Sequence, residues 1–87
     1  MEIIGVNRKT GDYEGRPYDN VNFHGKEPFE DGEGVGEKVK SYKVRYSVLT
    51  EIFGKELTDK DLSAFVGQLV EFYFDEFRNV KFIAVHK

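Results

Sequence analysis

The chain contains no cysteine and no tryptophan, and only two prolines, one methionine and two histidines among 87 residues. Without cysteine, neither disulfides nor thiolate metal ligands can supplement the hydrophobic core, a composition that suits a reducing compartment. No apolar run approaches membrane-spanning length, and the start MEIIGVNRK lacks a basic segment followed by an apolar one. The expectation is a cytoplasmic protein with no membrane association. His24 and His86 have no serine or cysteine at a spacing that builds a nucleophile, and the pairs Asp59/Asp61 and Asp75/Glu76 fall in a cap and a turn, where acids need no catalytic reason. These absences predict a protein that is not an enzyme and holds no cofactor.

A large charge of one sign is missing too. Thirteen basic and sixteen acidic residues leave a formal net charge of -3, which argues against indiscriminate adhesion to nucleic acid. The two signs are segregated along the chain. Glu27, Glu30, Asp31, Glu33 and Glu37 crowd one stretch, and Lys38, Lys40, Lys43 and Arg45 follow with no acid between Val39 and Thr50. Gly32 to Gly36 in the acidic stretch is not a dinucleotide fingerprint, because Glu37 stands at the sixth position and no apolar strand precedes it. Nor do its acids have the ligand spacing of a calcium loop, so no metal is expected. An acidic flap that covers the basic ribbon until a partner displaces it is one expectation for this loop.

Eight Phe and five Tyr let one small domain, spanning residues 1–87, bury much area with few side chains. Ile3, Ile4 and Val6 open a first strand over Glu2 to Tyr13, with a bulge or bend expected at Thr10-Gly11-Asp12. Glu14-Gly15-Arg16 supplies a turn, and Pro17 suits the start of a second strand running to about His24. Val21 and Phe23 fall on one face of that strand, with Tyr18, Asn20, Asn22 and His24 on the other. Gly25 to Gly36 has loop composition. The ribbon Lys38 to Leu49 reads as a third strand, with Tyr42, Val44, Tyr46 and Val48 on one face and Ser41, Lys43 and Arg45 on the other.

Ser47 is the expected cap of a short helix through Leu49, Ile52 and Phe53 closed by Gly54, and Thr58-Asp59-Lys60-Asp61 opens another. Residues 68–77 fit either a strand or the end of a long amphipathic helix; a strand over Gln68 to Asp75 is the preferred reading. A last strand carries either Val80, Phe82 and Ala84 or Lys81, Ile83 and Val85 inward. Five strands with helical material between the third and fourth predict a mainly β fold of the OB type, a partly open five-stranded barrel that often binds single-stranded nucleic acids or oligosaccharides; an α+β half-barrel with the long helix is the competing architecture.

Gly15-Arg16-Pro17-Tyr18, after an apolar first strand, is similar to the Gly-Lys/Arg-Pro-Tyr hairpin of the small single-stranded-DNA-binding proteins of filamentous phages, and Val66-Gly67-Gln68 resembles their step into the fourth strand. The chain as a whole resembles small DNA-binding-like proteins of phages and conjugative elements. The resemblance covers mainly residues 1–25 and 64–85. It implies an OB-type barrel that works as a homodimer, with Arg16 contacting phosphate and Tyr18 stacking on a base. Asn20 stands where that family has an apolar residue.

On physical grounds, single-strand binding needs cations to replace phosphate counterions and exposed rings on which bases stack. Arg8, Lys9, Arg16, Lys38, Lys40, Lys43 and Arg45 are the candidate cations, and Tyr13, Tyr18, Tyr42 or Phe77 the candidate rings. Tyr42 and Tyr46 share a face with Val44 and Val48 and fit a core better. The alternative function is a protein-interaction module that uses the acidic loop or the aromatic surface around Phe72 to Phe77 for a protein partner.

Overall fold

A computed structural model describes residues 1–86 of the chain. Five antiparallel strands, β1 (Glu2–Tyr13), β2 (Arg16–Pro28), β3 (Glu37–Arg45), β4 (Leu69–Phe74) and β5 (Val80–His86), form one sheet in the order β3-β2-β1-β4-β5. Two short helices, α1 (Tyr46–Phe53) and α2 (Asp59–Ser63), lie between β3 and β4. Among the described residues no helix is long and apolar enough to cross a membrane.

The β1–β2 hairpin turns on Glu14 and Gly15, both with positive φ (50° and 78°), the combination that a two-residue hairpin loop of matching twist requires. Tyr13 then pairs with Arg16 and Asp12 with Pro17. β2 runs on to Pro28, four residues past the expected end, because Gly25 to Pro28 pair with Glu37 to Lys40 of β3 and lengthen the ladder. Gly25 lies against Met1, whose side chain occupies the space a β-carbon would need.

The bulge in β1 falls at Ile4, between the pairs Ile3–Gly25 and Gly5–His24, and not at Thr10-Gly11-Asp12. Its consequence is large. Side chains alternate with period two, so one extra residue exchanges the faces of everything beyond it. Val6 and Arg8 therefore follow Ile3 on the inner face, and Asn7, Lys9 and Tyr13 point outward.

β3 ends at Arg45, four residues before the expected Leu49. Tyr46, Val48 and Leu49 belong to α1, whose N-cap is Arg45 with no side-chain cap, so Ser47 lies inside the helix rather than at its cap. Leu49, Ile52 and Phe53 recur at helical spacing and pack on the core, and Gly54 closes the helix in the left-handed conformation (φ 69°). Thr58 and Asp61 form a reciprocal capping box at α2, as the sequence predicts. The Tyr46 hydroxyl donates to the Leu57 carbonyl and accepts from the Leu57 N–H, pinning the connection between the helices.

Residues 69–74 are strand. Lys81 is an extra residue in β5, because Tyr73 pairs with Phe82 and Phe74 with Val80. That bulge puts both Val80 and Ile83 on the inner face, so neither of the two simple alternations holds. The core gathers Ile3, Val21, Phe23, Val44, Leu49, Leu57, Leu62, Phe65, Val70 and Ile83. Phe23 is fully buried, with Phe65 and Phe72 edge-on at 5.3 and 5.5 Å between ring centroids.

The mainly β fold is as expected, but the sheet is not closed into a barrel, even the partly open one expected. β3 and β5 are its edges and do not pair. The chain leaves β3 at Arg45 to form α1, which packs against β2, β3 and β5 and so occupies the gap where closure would occur. The sheet still curls: Tyr42 on the β3 edge meets Phe72 and Phe74 of β4 at 4.8 and 5.4 Å.

Candidate nucleic-acid interface

The strand registers sort the candidate cations onto two faces. On the inner side, Arg8 stands in the row with Val21 and Val44, and Lys40 in the row with Ile3 and Gly25. Lys38 pairs with Glu27, one period beyond Lys40 on the same face. All three cations are already engaged. Arg8 makes a bidentate pair with Asp19 (2.8 and 2.6 Å) and lies 3.8 Å from the Tyr46 ring centroid. The Asp19 carboxyl is held below the usual range by the hydrogen bonds from Arg8, and those bonds raise Arg8 in turn. Lys38 meets Glu33 at 3.5 Å and stands over Phe29, and Lys40 meets Glu27 at 3.6 Å. Tyr42, and after it Glu27, raise Lys40 above the ordinary lysine value.

On the outer side the rows are Tyr13–Arg16, Gly11–Tyr18, Lys9–Asn20–Arg45, Asn7–Asn22–Lys43 and Gly5–His24–Ser41. No carboxylate occurs in these five rows. Among the described residues, Lys9, Arg16, Lys43 and Arg45 make no ion pair with Asp or Glu. In an acidic protein, four cations without partners therefore share one strip with tyrosines and amides. The strip spans the nine residues of β2 from Arg16 to His24, roughly 27 Å at strand rise.

The tyrosines are presented differently. Tyr18 lies across Gly11, where a β-carbon would come within 2.7 Å of its hydroxyl; glycine here lets the ring lie flat on the strand and turn its other face to solvent. Tyr13 stands 70% exposed at the hairpin end. An open groove of about 450 Å³ is lined by Lys9, Tyr13, Tyr18, Asn20, Asn22 and Lys43. A larger one, about 1100 Å³, runs from Tyr18, Asn20 and Lys43 past Arg45 to α1 and the β4–β5 turn, and takes in the inner-face Asp19 and Val44 and the turn residue Asp75 as well. Cations to hold phosphates, rings to stack bases and amides to meet base edges thus lie on one surface.

Phe77 is not part of this strip. It sits 75% exposed in the β4–β5 turn, where Asp75 Oδ1 accepts from the Phe77 and Asn79 N–H groups and fixes the loop. Tyr42 is half-buried on the inner face, where its ring meets Phe72 and Phe74, and it is not among the residues of the buried core. The candidate set Arg8, Lys9, Arg16, Tyr18, Lys38, Lys40, Lys43, Arg45 and Phe77 is thus divided. Lys9, Arg16, Tyr18, Lys43 and Arg45 come together; Arg8, Lys38, Lys40 and Phe77 do not. Asn7, Asn20 and Asn22 were missed as site residues, although the alternation of β2 already put Asn20 and Asn22 beside Tyr18.

Of the acidic stretch, Glu33 in the loop meets Lys38, Glu27 on β2 meets Lys40, and Glu37 on β3 reaches Lys26 (3.8 Å). None of these pairs involves Lys43 or Arg45. Among the described residues no group of three His, Cys, Asp or Glu is placed to hold a metal ion. Comparison with known proteins finds no match: no family model fits the chain, and no curated protein or solved structure is significantly similar to it.

Proposed function

We propose that this protein is a non-enzymatic binder of single-stranded nucleic acid, and that the outer face of β1, β2 and β3 is its binding surface. The observation that carries this reading is the carboxylate-free strip in which Lys9, Arg16, Lys43 and Arg45 alternate with Tyr13, Tyr18 and three asparagines. Cations alone would suit any polyanion. Rings laid open beside them favour unstacked bases, hence a single strand over a duplex. The Gly15-Arg16-Pro17-Tyr18 hairpin supports DNA as the substrate, through its resemblance to the phage proteins, and puts Arg16 and Tyr18 in the roles that resemblance implies.

An OB-like architecture is the finer reading of the fold. The order β3-β2-β1-β4-β5 is that of a five-stranded barrel cut between β3 and β5, with helices between the third and fourth strands. A protein partner is the second reading. It is favoured by Leu69, Tyr73, Phe74, Phe77 and Phe82 on β4, β5 and their turn, each at least 40% exposed. The two readings part on salt dependence. Anisotropy of a labelled oligothymidine should show saturable binding that weakens with a slope of about -3 in log K against log salt, from four neutralised phosphates at about -0.7 each. A duplex of equal length should bind more weakly. No binding at low salt would reject the nucleic-acid reading in favour of the protein partner.

A further inference from the structure

His24 sits within the cationic strip, held on both sides. Its Nε2 lies 2.8 Å from Asn7 Oδ1 on β1, and its Nδ1 2.6 Å from Ser41 Oγ on β3. With the Asn7 oxygen facing the ring, that oxygen only accepts, and the neutral ring carries its proton on Nε2 in this arrangement. The Asn7 amide is thereby oriented, its oxygen taken and its NH₂ left to donate to a ligand. A serine hydroxyl both donates and accepts. It donates to Nδ1 of the neutral ring, and when the ring is protonated it accepts from Nδ1 and frees its own proton. The site thus takes up a proton by turning one hydroxyl.

We propose that His24 is a proton-dependent anion-binding residue of this face, a fifth cation that switches on as pH falls and orients Asn7 toward the ligand. This role rests on the outer face being the nucleic-acid surface. The groups around it favour the charge being used. From β1 it faces Asn7 with Lys9 beyond; from β3, Ser41 with Lys43 beyond; along β2, Asn22 and Lys26. The nearest carboxylates on this face, Glu2 and Glu37, both meet Lys26 (3.7 and 3.8 Å). No carboxylate contacts the ring, so the proton's charge is available to a phosphate. His86, the other histidine, lies on β5 three strands away and meets Glu71 instead.

One more cation on a phosphate adds about 0.7 to the salt slope, which at about 0.1 M salt is roughly fivefold in affinity. Binding of an oligothymidine is measured by anisotropy at pH 8 and pH 5.5 for the wild type and for His24→Gln, and both histidines are titrated by NMR with and without saturating oligonucleotide. The wild type should gain about fivefold more affinity than His24→Gln between the two pH values. Linkage is reciprocal, so the His24 titration midpoint should rise by about 0.7 pH unit on saturation while that of His86 stays put. Equal pH profiles in the two proteins, or a His24 midpoint unmoved by ligand, would overturn the role of His24 and leave the surface standing. No binding at either pH would overturn both.

Discussion

Replacing Lys9 and Lys43 together by Gln tests the division of the cations between two faces. Both side chains lie on the outer strip, line the same groove and have no acidic partner. Each contacts a phosphate in the proposed complex, so each loss removes about 0.7 from the salt slope and roughly fivefold in affinity at about 0.1 M salt. The double variant should bind oligothymidine about 25-fold more weakly, with its slope reduced from about -3 to about -1.5. Lys38→Gln with Lys40→Gln removes the same charge from the opposite face, where Glu33 and Glu27 already neutralise it. That variant should stay within about twofold of the wild type. Anisotropy over a salt series measures both, and thermal melting confirms the fold, since exposed unpartnered lysines contribute within about 0.5 kcal/mol of stability. Equal losses in the two double variants would mean that net charge, not the strip, drives binding, and would refute the division.

Tyr18→Ala should weaken oligonucleotide binding and also destabilise the hairpin by about 1 kcal/mol in urea unfolding, because the ring covers Gly11; unchanged affinity would remove Tyr18 from the surface. Phe23→Ala should cost about 3–5 kcal/mol in the same assay, as Phe65 and Phe72 close on an emptied site. A loss under about 1 kcal/mol would show that the core lies elsewhere. Asp19→Asn removes a carboxylate whose pKa is depressed in the folded state, so its stabilising effect is full above the unfolded value and fades as pH falls through the depressed one. The melting difference between wild type and Asp19→Asn should therefore be present at pH 6 and shrink below about pH 4. A difference constant down to about pH 2 would contradict the pairing with Arg8.

The local features of the fold were legible because they depend on neighbours in sequence. The Glu14-Gly15 turn, the capping box at Thr58 and the left-handed Gly54 each follow from a few residues. Where β3 ends was not. Tyr46, Val48 and Leu49 satisfy both a period of two and the opening of a helix, and the choice falls to Leu49, Ile52 and Phe53 packing on a core built from distant strands. The bulges at Ile4 and Lys81 were hidden for a similar reason, since an extra residue shows only against its partner strand. Closure between β3 and β5 is a non-local property too, and here α1 packs against both edge strands instead.

The site was half legible. Strand alternation already separates Lys38 and Lys40 from Lys43 and Arg45 once the inner face is anchored at Val44, so the four were never one ribbon. Lys9 and Arg8 depended on the bulge at Ile4, because an unbroken strand would have turned Lys9 inward with Ile3. The asparagines carry no charge and no ring, and only their position between Lys9, Lys43 and Arg45 marks them.

The most direct test of the central claim is a ¹H–¹⁵N NMR titration of the protein with a short oligothymidine at low salt. The outer strip should respond, with shifts concentrated on Lys9, Tyr13, Arg16, Tyr18, Asn20, Asn22, Lys43 and Arg45, while Lys38, Lys40 and the outward side of β4 and β5 stay still. Shifts centred on Tyr73, Phe77 and Phe82, or none on the strip at saturation, would contradict it.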